Sequence, residues 1–340
     1  MKIRKITLYI LCVIVAFVSC NKDDGGLDVI EVPIRDRAEQ QVIDKDSLIG
    51  YLETHYYNSS AFENNLNPSI SDLVITELLS GESVPVDHTI LIDAIETKTT
   101  VFVDVDYEYY ILRLNQGNGE IRPHFTDNIR VNFSGNLLDE EVFDSSVNPV
   151  DFDLTSLVPG WNRVMPQFNI AEFFIENGDG TISFTNAGVG VMFLPSGLGF
   201  YASSPPNIPL YSNLIFKFDL YQTEILDHDF DGIPTYFEDL NGNLNLNDDD
   251  TDANTLPNYF DGDDDGDGVL TINELEPKEY TVDTNIGETE PILAEKEFEI
   301  SRSESLGIIT IKTVTIVDSN NDGIDDYLDE NITINYNEED

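Results

Sequence analysis

Period-two alternation of apolar and polar residues dominates the middle of the chain. Tyr107–Leu114 is rich in Tyr and Ile and runs into Gln116-Gly117-Asn118-Gly119, so it reads as a strand closed by a turn. Val131 and Phe133 alternate into Ser134-Gly135, which predicts a second strand over 129–134. Further strands are expected near 150–154, at 190–195 and at 213–221, with a short helix after Gly160. Phe168–Phe174 reads as a strand and Glu176-Asn177-Gly178-Asp179-Gly180-Thr181 as a hairpin turn, while Pro166 cuts short the helix before them. Upstream the period changes. Leu48, Tyr51, Leu52 and His55 share one helical face over Asp44–Tyr57, with Asp44 or Asp46 as candidate N-cap and Asn58-Ser59-Ser60 as the stop. Residues 72–104 mix short apolar runs with Gly81 and Pro85. Near the other end Phe298, Ile300, Ile309, Ile311, Val314 and Ile316 alternate, predicting a hairpin over 296–317.

These patterns predict an α+β chain in which an antiparallel sheet wraps on one short helix. A small α+β segment over 39–104 precedes the sheet domain at 105–226, and acidic loops (227–276) and the hairpin region (277–340) follow it. His55 and His88 have no partner at metal-ligand spacing and read as core or surface residues.

The first twenty residues have another pattern. Lys2, Arg4 and Lys5 precede an unbroken apolar run from about Ile6 to Val18, too short for a stable bilayer span. We read 1–19 as an export signal, with a plain secretory signal or an anchor as the alternative. Ser19-Cys20 resembles a bacterial lipoprotein cleavage site, which implies a lipid on Cys20, a tether over 20–38 and contact with a membrane through that lipid. Asn21-Lys22-Asp23-Asp24 resembles the Lys-plus-acidic signal that sends lipoproteins of the Bacteroidota to the cell surface. The expected address is the bacterial envelope, at the outer membrane. Cleavage before Cys20 would discard Cys12 and leave no thiol for a disulfide, a metal site or a nucleophile.

Charge narrows the function further. With 65 acidic against 17 basic residues the net charge is −48, which repels nucleic acid and excludes it as a partner. The chain is nonetheless 41% hydrophobic, enough for a folded core. The excess charge calls for cations.

Their seats are visible. Asp227, Asp229, Asp231, Gly232 and Glu238 occupy positions 1, 3, 5, 6 and 12 of a loop with the EF-hand calcium register. Asp263, Asp265, Asp267, Gly268 and Glu274 repeat it, and Asp318, Asn320, Asp322, Gly323 and Asp329 repeat it with Asp last. Asp250, Asp252, Asn254 and Asp261 form a degraded copy with Thr255 where glycine belongs, and Asp239, Asn241 and Asn243 are a weaker candidate. Side chains at 1, 3 and 5 turn inward around one ion while Gly at 6 permits the bend. A hard cation with six to eight oxygens fits calcium, in a structural role. Flanking helices are absent or brief, so the run is similar to thrombospondin type 3 repeats; a solvated acidic linker is the alternative. Without metal, mutual repulsion should leave 227–274 disordered.

Aromatics mark the remaining chemistry. Between 131 and 161 stand Phe133, Phe143, Phe152 and the only tryptophan, Trp161, which a small β core alone would explain. Their order says more. Val131-Asn132-Phe133-Ser134-Gly135, Phe143-Asp144-Ser145-Ser146, Phe152-Asp153-Leu154 and Leu157-Val158-Pro159-Gly160-Trp161 are followed by Leu194–Tyr201 and Ile208–Phe216. Over about residues 105–226 these blocks resemble the FKBP-type peptidyl-prolyl cis-trans isomerases, with an insertion between Trp161 and Pro195.

The resemblance implies a groove floored by Trp161 and walled by Phe133, Phe143, Phe200 and Phe216. Leu157, Val158 and Ile208 would complete it, Asp144 would stand at the rim, and the Val158 N–H would hold a substrate carbonyl. It implies a monomeric isomerase, with no cofactor for catalysis, acting on X–Pro bonds of exported proteins. Phe133 and Phe200 stand where the family usually has tyrosine, and Val150 where a bulkier aromatic is common, which implies weak or selective catalysis. Core packing is the alternative for Phe216 and Leu157, turn capping for Asp144, and non-catalytic binding of proline-containing segments for the whole groove.

Overall fold

A computed structural model describes residues 33–338, so the expected signal peptide, Cys20 and the surface signal lie outside the described residues. Helix α1 spans Arg37–Thr54, and its N-cap is Asp36, whose carboxylate accepts from the Glu39 N–H at 3.0 Å. The helix starts earlier than its apolar face because its first turns are polar and carry no period to read. Asp44 is therefore no cap: it is buried mid-helix and accepts from the N–H and hydroxyl of Ser196 at 2.8 and 2.6 Å. At the other end His55–Tyr57 leaves the helix as strand β1, flanked by β2 (Ile75–Glu77) and β3 (Thr89–Ile90). His55 is buried, with its ring stacked on Tyr51 at 3.7 Å.

Next come β4 (Ile95–Phe102), β5 (Val105–Gln116), β6 (Asn128–Asn136) and β7 (Val142–Asp153), then helix α2 (Pro159–Val164). A two-stranded hairpin, β8 (Phe173–Glu176) and β9 (Ile182–Thr185), precedes β10 (Gly188–Leu194) and β11 (Leu214–Glu224). The strand expected near 150–154 is the far end of β7, which begins with the Phe143-Asp144 block and bulges against β6 between Val131 and Phe133. Phe168, expected in a strand, is instead core, buried edge-on to Phe218 at 4.9 Å.

Six strands form one antiparallel sheet in the order β4-β5-β10-β11-β6-β7, and both faces are covered. Tyr109, Ile111, Met192, Leu194, Phe216 and Phe218 face the core that holds Trp161. Their neighbours Tyr110, Leu112, Val191, Phe193 and Ile215 face Leu48, Tyr51 and Leu52 of α1. Burial on two sides explains why β10 reads as an unbroken apolar run. The domain boundary at 104/105 is corrected accordingly. β4 pairs with β5 from Ile95↔Leu112 to Phe102↔Val105, and α1 packs on the same sheet. Gly160 lets α2 approach β10, since a Cβ there would lie 2.2 Å from Leu194 Cδ1.

Beyond β11 the acidic loops carry only 3-10 turns and one helical turn, Thr271–Glu274. Strands β12 (Glu276–Asp283), β13 (Glu297–Ser305) and β14 (Ile308–Thr315) then form a sheet in the order β12-β14-β13, so the expected hairpin has a third strand. Ile233 of the first loop and Tyr327 of the last share a core with Leu275, Phe298, Val314 and Ile316. The division at 276/277 therefore cuts through a single core. Among the described residues no helix is long and apolar enough to cross a membrane.

Candidate functional site

Strand β6 carries Phe133 and β7 presents Phe143 and Phe152. The turn Leu154–Ser156 leads to Leu157 and Val158, and α2 brings Trp161. With Phe200, Ile208 and Phe216 these line one groove of about 590 Å³, with Asp144 exposed at its rim. All nine residues singled out in the sequence thus border the same concavity. Five others join them: Phe152, Ser156, Pro205, Pro206 and Asn207. Alternation with Val150 and Leu154 could have signalled Phe152; the Pro-Pro-Asn loop offered no periodic signal. A second concavity of about 510 Å³, containing Arg130, Asn132, Asp219 and Tyr221, shares none of these residues.

Edge-to-face contacts fix the rings. Trp161 meets Phe216 at 5.3 Å and 63°, Phe133 at 6.1 Å and 81°, and Phe152 at 6.1 Å and 69°, and Phe143 meets Phe216 at 5.5 Å and 89°. Each such pair contributes about 0.5–1.5 kcal/mol beyond burial, so the rings of the cup support one another. Trp161 is only 2% exposed and lines the groove from within. Behind the cup, Arg163 is buried beneath Phe102 and donates to Thr100 Oγ1, Pro159 O and Asn162 Oδ1, tying α2 to β4. Burial lowers its pKa, and the partners are neutral. Asp144 and Ser156 are the acidic and hydroxyl side chains of a lining that is otherwise mainly apolar. An apolar, water-excluding cup of this kind can favour a less polar state of a bound amide over its planar form.

The acidic loops share one construction. The position-1 carboxylate accepts the N–H of position 6 at 3.0 Å in Asp227–Gly232, Asp250–Thr255 and Asp318–Gly323, and at 2.9 Å in Asp239–Leu244. Position 6 has positive φ in every copy, 97° at Gly232 and 81° even at Thr255, where a β-branched residue is strained. Position 9, which the sequence reading passed over, knots the loop. Buried Thr235, Asn258, Thr271 and Asp326 accept the N–H of position 2 at 2.8–3.2 Å.

Three carboxylate groups converge: Asp227/Asp229/Asp231, Asp231/Glu238/Asp264 and Asp263/Asp265/Asp267, each with oxygens within 4.8 Å of one another. Glu274 is buried beside the last group, and burial with Asp265, Asp267 and Asp263 pushes its carboxyl up to about 9. Burial, then Asp231 and Asp229, pushes Asp264 up to about 9 as well. Burial and then Asp227 raise Asp229, and burial and then Asp229 and Asp227 raise Asp231. Both oxygens of Glu238, Asp264 and Glu274 lack a hydrogen-bond partner. Buried acids without donors fit a hard divalent cation, which these groups could hold. Two of the other three expected sites differ. Asn254 donates to Asp252 and Asp261, and Asn320 to Asp322 and Asp329, so a neutral amide bridges the carboxylates there.

The family model described as BamM C-terminal matches residues 228–299. The FKBP-type 22 kDa peptidyl-prolyl cis-trans isomerase of Escherichia coli strain K12 is 30% identical over 112 residues, 32% of this chain and 47% of that protein. The FKBP-type peptidyl-prolyl cis-trans isomerase FkpA of Aeromonas hydrophila is 27% identical over 120 residues, 34% of this chain and 38% of that protein. The match thus spans less than half the length of either relative. A solved peptidyl-prolyl cis-trans isomerase from Pseudomonas syringae pv. tomato aligns with a TM-score of 0.33 at 13% identity, covering 56% of this chain and 98% of that one. Over about a third of its length this chain is similar to the FKBP-type peptidyl-prolyl cis-trans isomerases.

Proposed function

We propose that this chain isomerises X–Pro bonds in exported polypeptides, as a monomer anchored in the bacterial envelope, at the outer membrane, by a lipid on Cys20. The observation that carries the reading is the meeting of nine separately spaced residues around one aromatic groove over Trp161.

The reaction suits such a site. Rotation about a peptide bond meets a barrier of ~18–20 kcal/mol, and uncatalysed X–Pro exchange takes roughly 10–100 s. No bond is broken and no proton need move. Twisting decouples the carbonyl from the nitrogen and reduces the amide's polarity, so an apolar cup binds the twisted form better than the planar one. In this reading Trp161 lies under the proline ring, and Phe133, Phe143, Phe200 and Phe216 close around it with Leu157 and Ile208. The N–H of Val158, the N-cap residue of α2, holds a substrate carbonyl, and Asp144 orients the chain at the rim.

Calcium is the structural ion of the acidic loops in this reading, supported by the orphaned buried carboxylates of Glu238, Asp264 and Glu274. It takes no part in catalysis.

One observation favours a second reading. Phe133 and Phe200 bring no hydroxyl to the groove, so the site could capture proline-containing segments without turning them over, with the loops as a rigid spacer. A protease-free isomerisation assay on a short X–Pro peptide decides. Catalysis above the spontaneous rate supports the enzyme; negligible kcat/KM with retained peptide binding supports the binder.

A further inference from the structure

Resting on the cation-loop reading, we infer that the first acidic loop holds a bridged pair of divalent cations. The second ion lies between Asp231, Glu238 and Asp264 and ties residues 227–238 to residues 263–274. Position 12 of a calcium loop ordinarily closes on positions 1, 3 and 5 of the same loop. Here Glu238 gathers with Asp231 and with Asp264 of another loop, while Asp227, Asp229 and Asp231 form their own group. Asp231 is common to both, with Oδ1 accepting the Ile233 N–H at 2.8 Å and Oδ2 left without a partner.

Asp264 stands at position 2 of its loop, outside the ligand register. Its N–H is engaged by Thr271 Oγ1 at 3.2 Å, and its carboxylate joins the neighbouring loop's group. Glu238 and Asp264 are each 1% exposed, and all four of their carboxylate oxygens lack a hydrogen-bond partner. No lysine or arginine occurs between 227 and 274. Three buried carboxylates within 4.8 Å and without a counter-charge repel one another strongly. An oxygen-seeking divalent cation, calcium by the all-carboxylate donor set, reverses that sign and makes Asp264 a crosslink between loops.

The test counts bound calcium on the full chain by native mass spectrometry, for the wild type, Asp264→Asn, Glu238→Gln and the double variant. Each single variant is expected to bind one ion fewer than the wild type, and the double no fewer than either single. Asp263→Asn should lose a different ion, so its loss should add to that of Asp264→Asn. An Asp264→Asn protein with the wild-type ion count and affinity overturns the inference while leaving the loop reading intact. A wild type that binds no calcium overturns both. Should the amide variants fail to fold, Asp264→Leu is informative, since an apolar side chain relieves repulsion in a buried acidic cluster. It should raise Tm in chelator and shrink the gain in Tm that calcium gives; an undiminished gain counts against the crosslink.

Discussion

The imidazole of His228 reaches Asp153, Nε2 to Oδ2 at 3.2 Å, and so joins an acidic loop to the edge of the aromatic groove. His228 stands between Asp227 and Asp229, and its Nδ1 lies 2.8 Å from Thr235 Oγ1. Asp153 in turn accepts from the N–H and hydroxyl of Thr155 at 2.8 and 2.7 Å, fixing the turn that delivers Leu157 and Val158. Two side chains therefore link the loop to the turn that precedes the groove wall.

Chelating calcium should weaken binding of a proline-containing peptide by about fivefold, the low end of ordinary coupling between sites. His228→Ala should bind more weakly at the outset and lose most of that dependence. Trp161, the only tryptophan, reports both through its fluorescence in a peptide titration. A His228→Ala protein as sensitive to chelator as the wild type would show that the coupling runs elsewhere.

Phe200→Tyr should raise kcat/KM. One oriented hydrogen bond to a neutral carbonyl contributes about 0.5–1.5 kcal/mol, up to about tenfold in rate if realised only in the twisted state. An unchanged rate in the protease-free assay would mean that a hydroxyl at this wall finds no substrate oxygen.

Removing calcium should lower Tm and open 227–274 to proteolysis. The sheet β12-β14-β13 should loosen with it, because Ile233 and Tyr327 bring the first and last loops into the sheet's core. Equal digestion with and without chelator would leave the loops without a structural ion.

Glu96 offers a test of pH dependence away from the loops. Its carboxylate accepts from Arg113 Nε at 2.6 Å and Nη2 at 3.1 Å, and this pairing, helped by Lys98, holds its pKa down to about 2. A carboxylate depressed on folding contributes stability above its unfolded value, about 4.3, and loses it as pH falls through the folded value. Glu96→Gln should therefore melt below the wild type at neutral pH, with the gap closing as pH drops from about 4.3 toward the folded value. Melting curves in chelator across that range check it; a gap independent of pH would deny the pair its role.

The groove was legible because its residues lie in short blocks whose spacing survives in one dimension. Phe133, Phe143 and Phe216 follow strand alternation, and Trp161 follows a turn that starts a helix. Pro205, Pro206 and Asn207 reach the groove from a loop, where position is set by tertiary contacts and leaves no period. Asp264 was hidden for a different reason. It falls between Asp263 and Asp265, both in ligand register, and only the folded chain shows its carboxylate joining another loop's group. The start of α1 was missed because Arg37–Gln41 has no apolar face, and burial of Gln40 and Gln41 comes from polar contacts with Asp44 and the Glu108 carbonyl. β4 was separated from its sheet because pairing with β5 is a long-range choice that local composition does not record.

That misplaced boundary has a practical corollary in the grip of Asp44 on Ser196. A fragment trimmed to begin at Val105 would strip one side of the central sheet, leaving Leu112, Val191, Phe193 and Ile215 wet and the β5 edge open to other molecules. It would also release the strut behind the lip that carries Phe200. Such a fragment should clump rather than stay in solution, and the leading helix is part of the sheet domain it packs on.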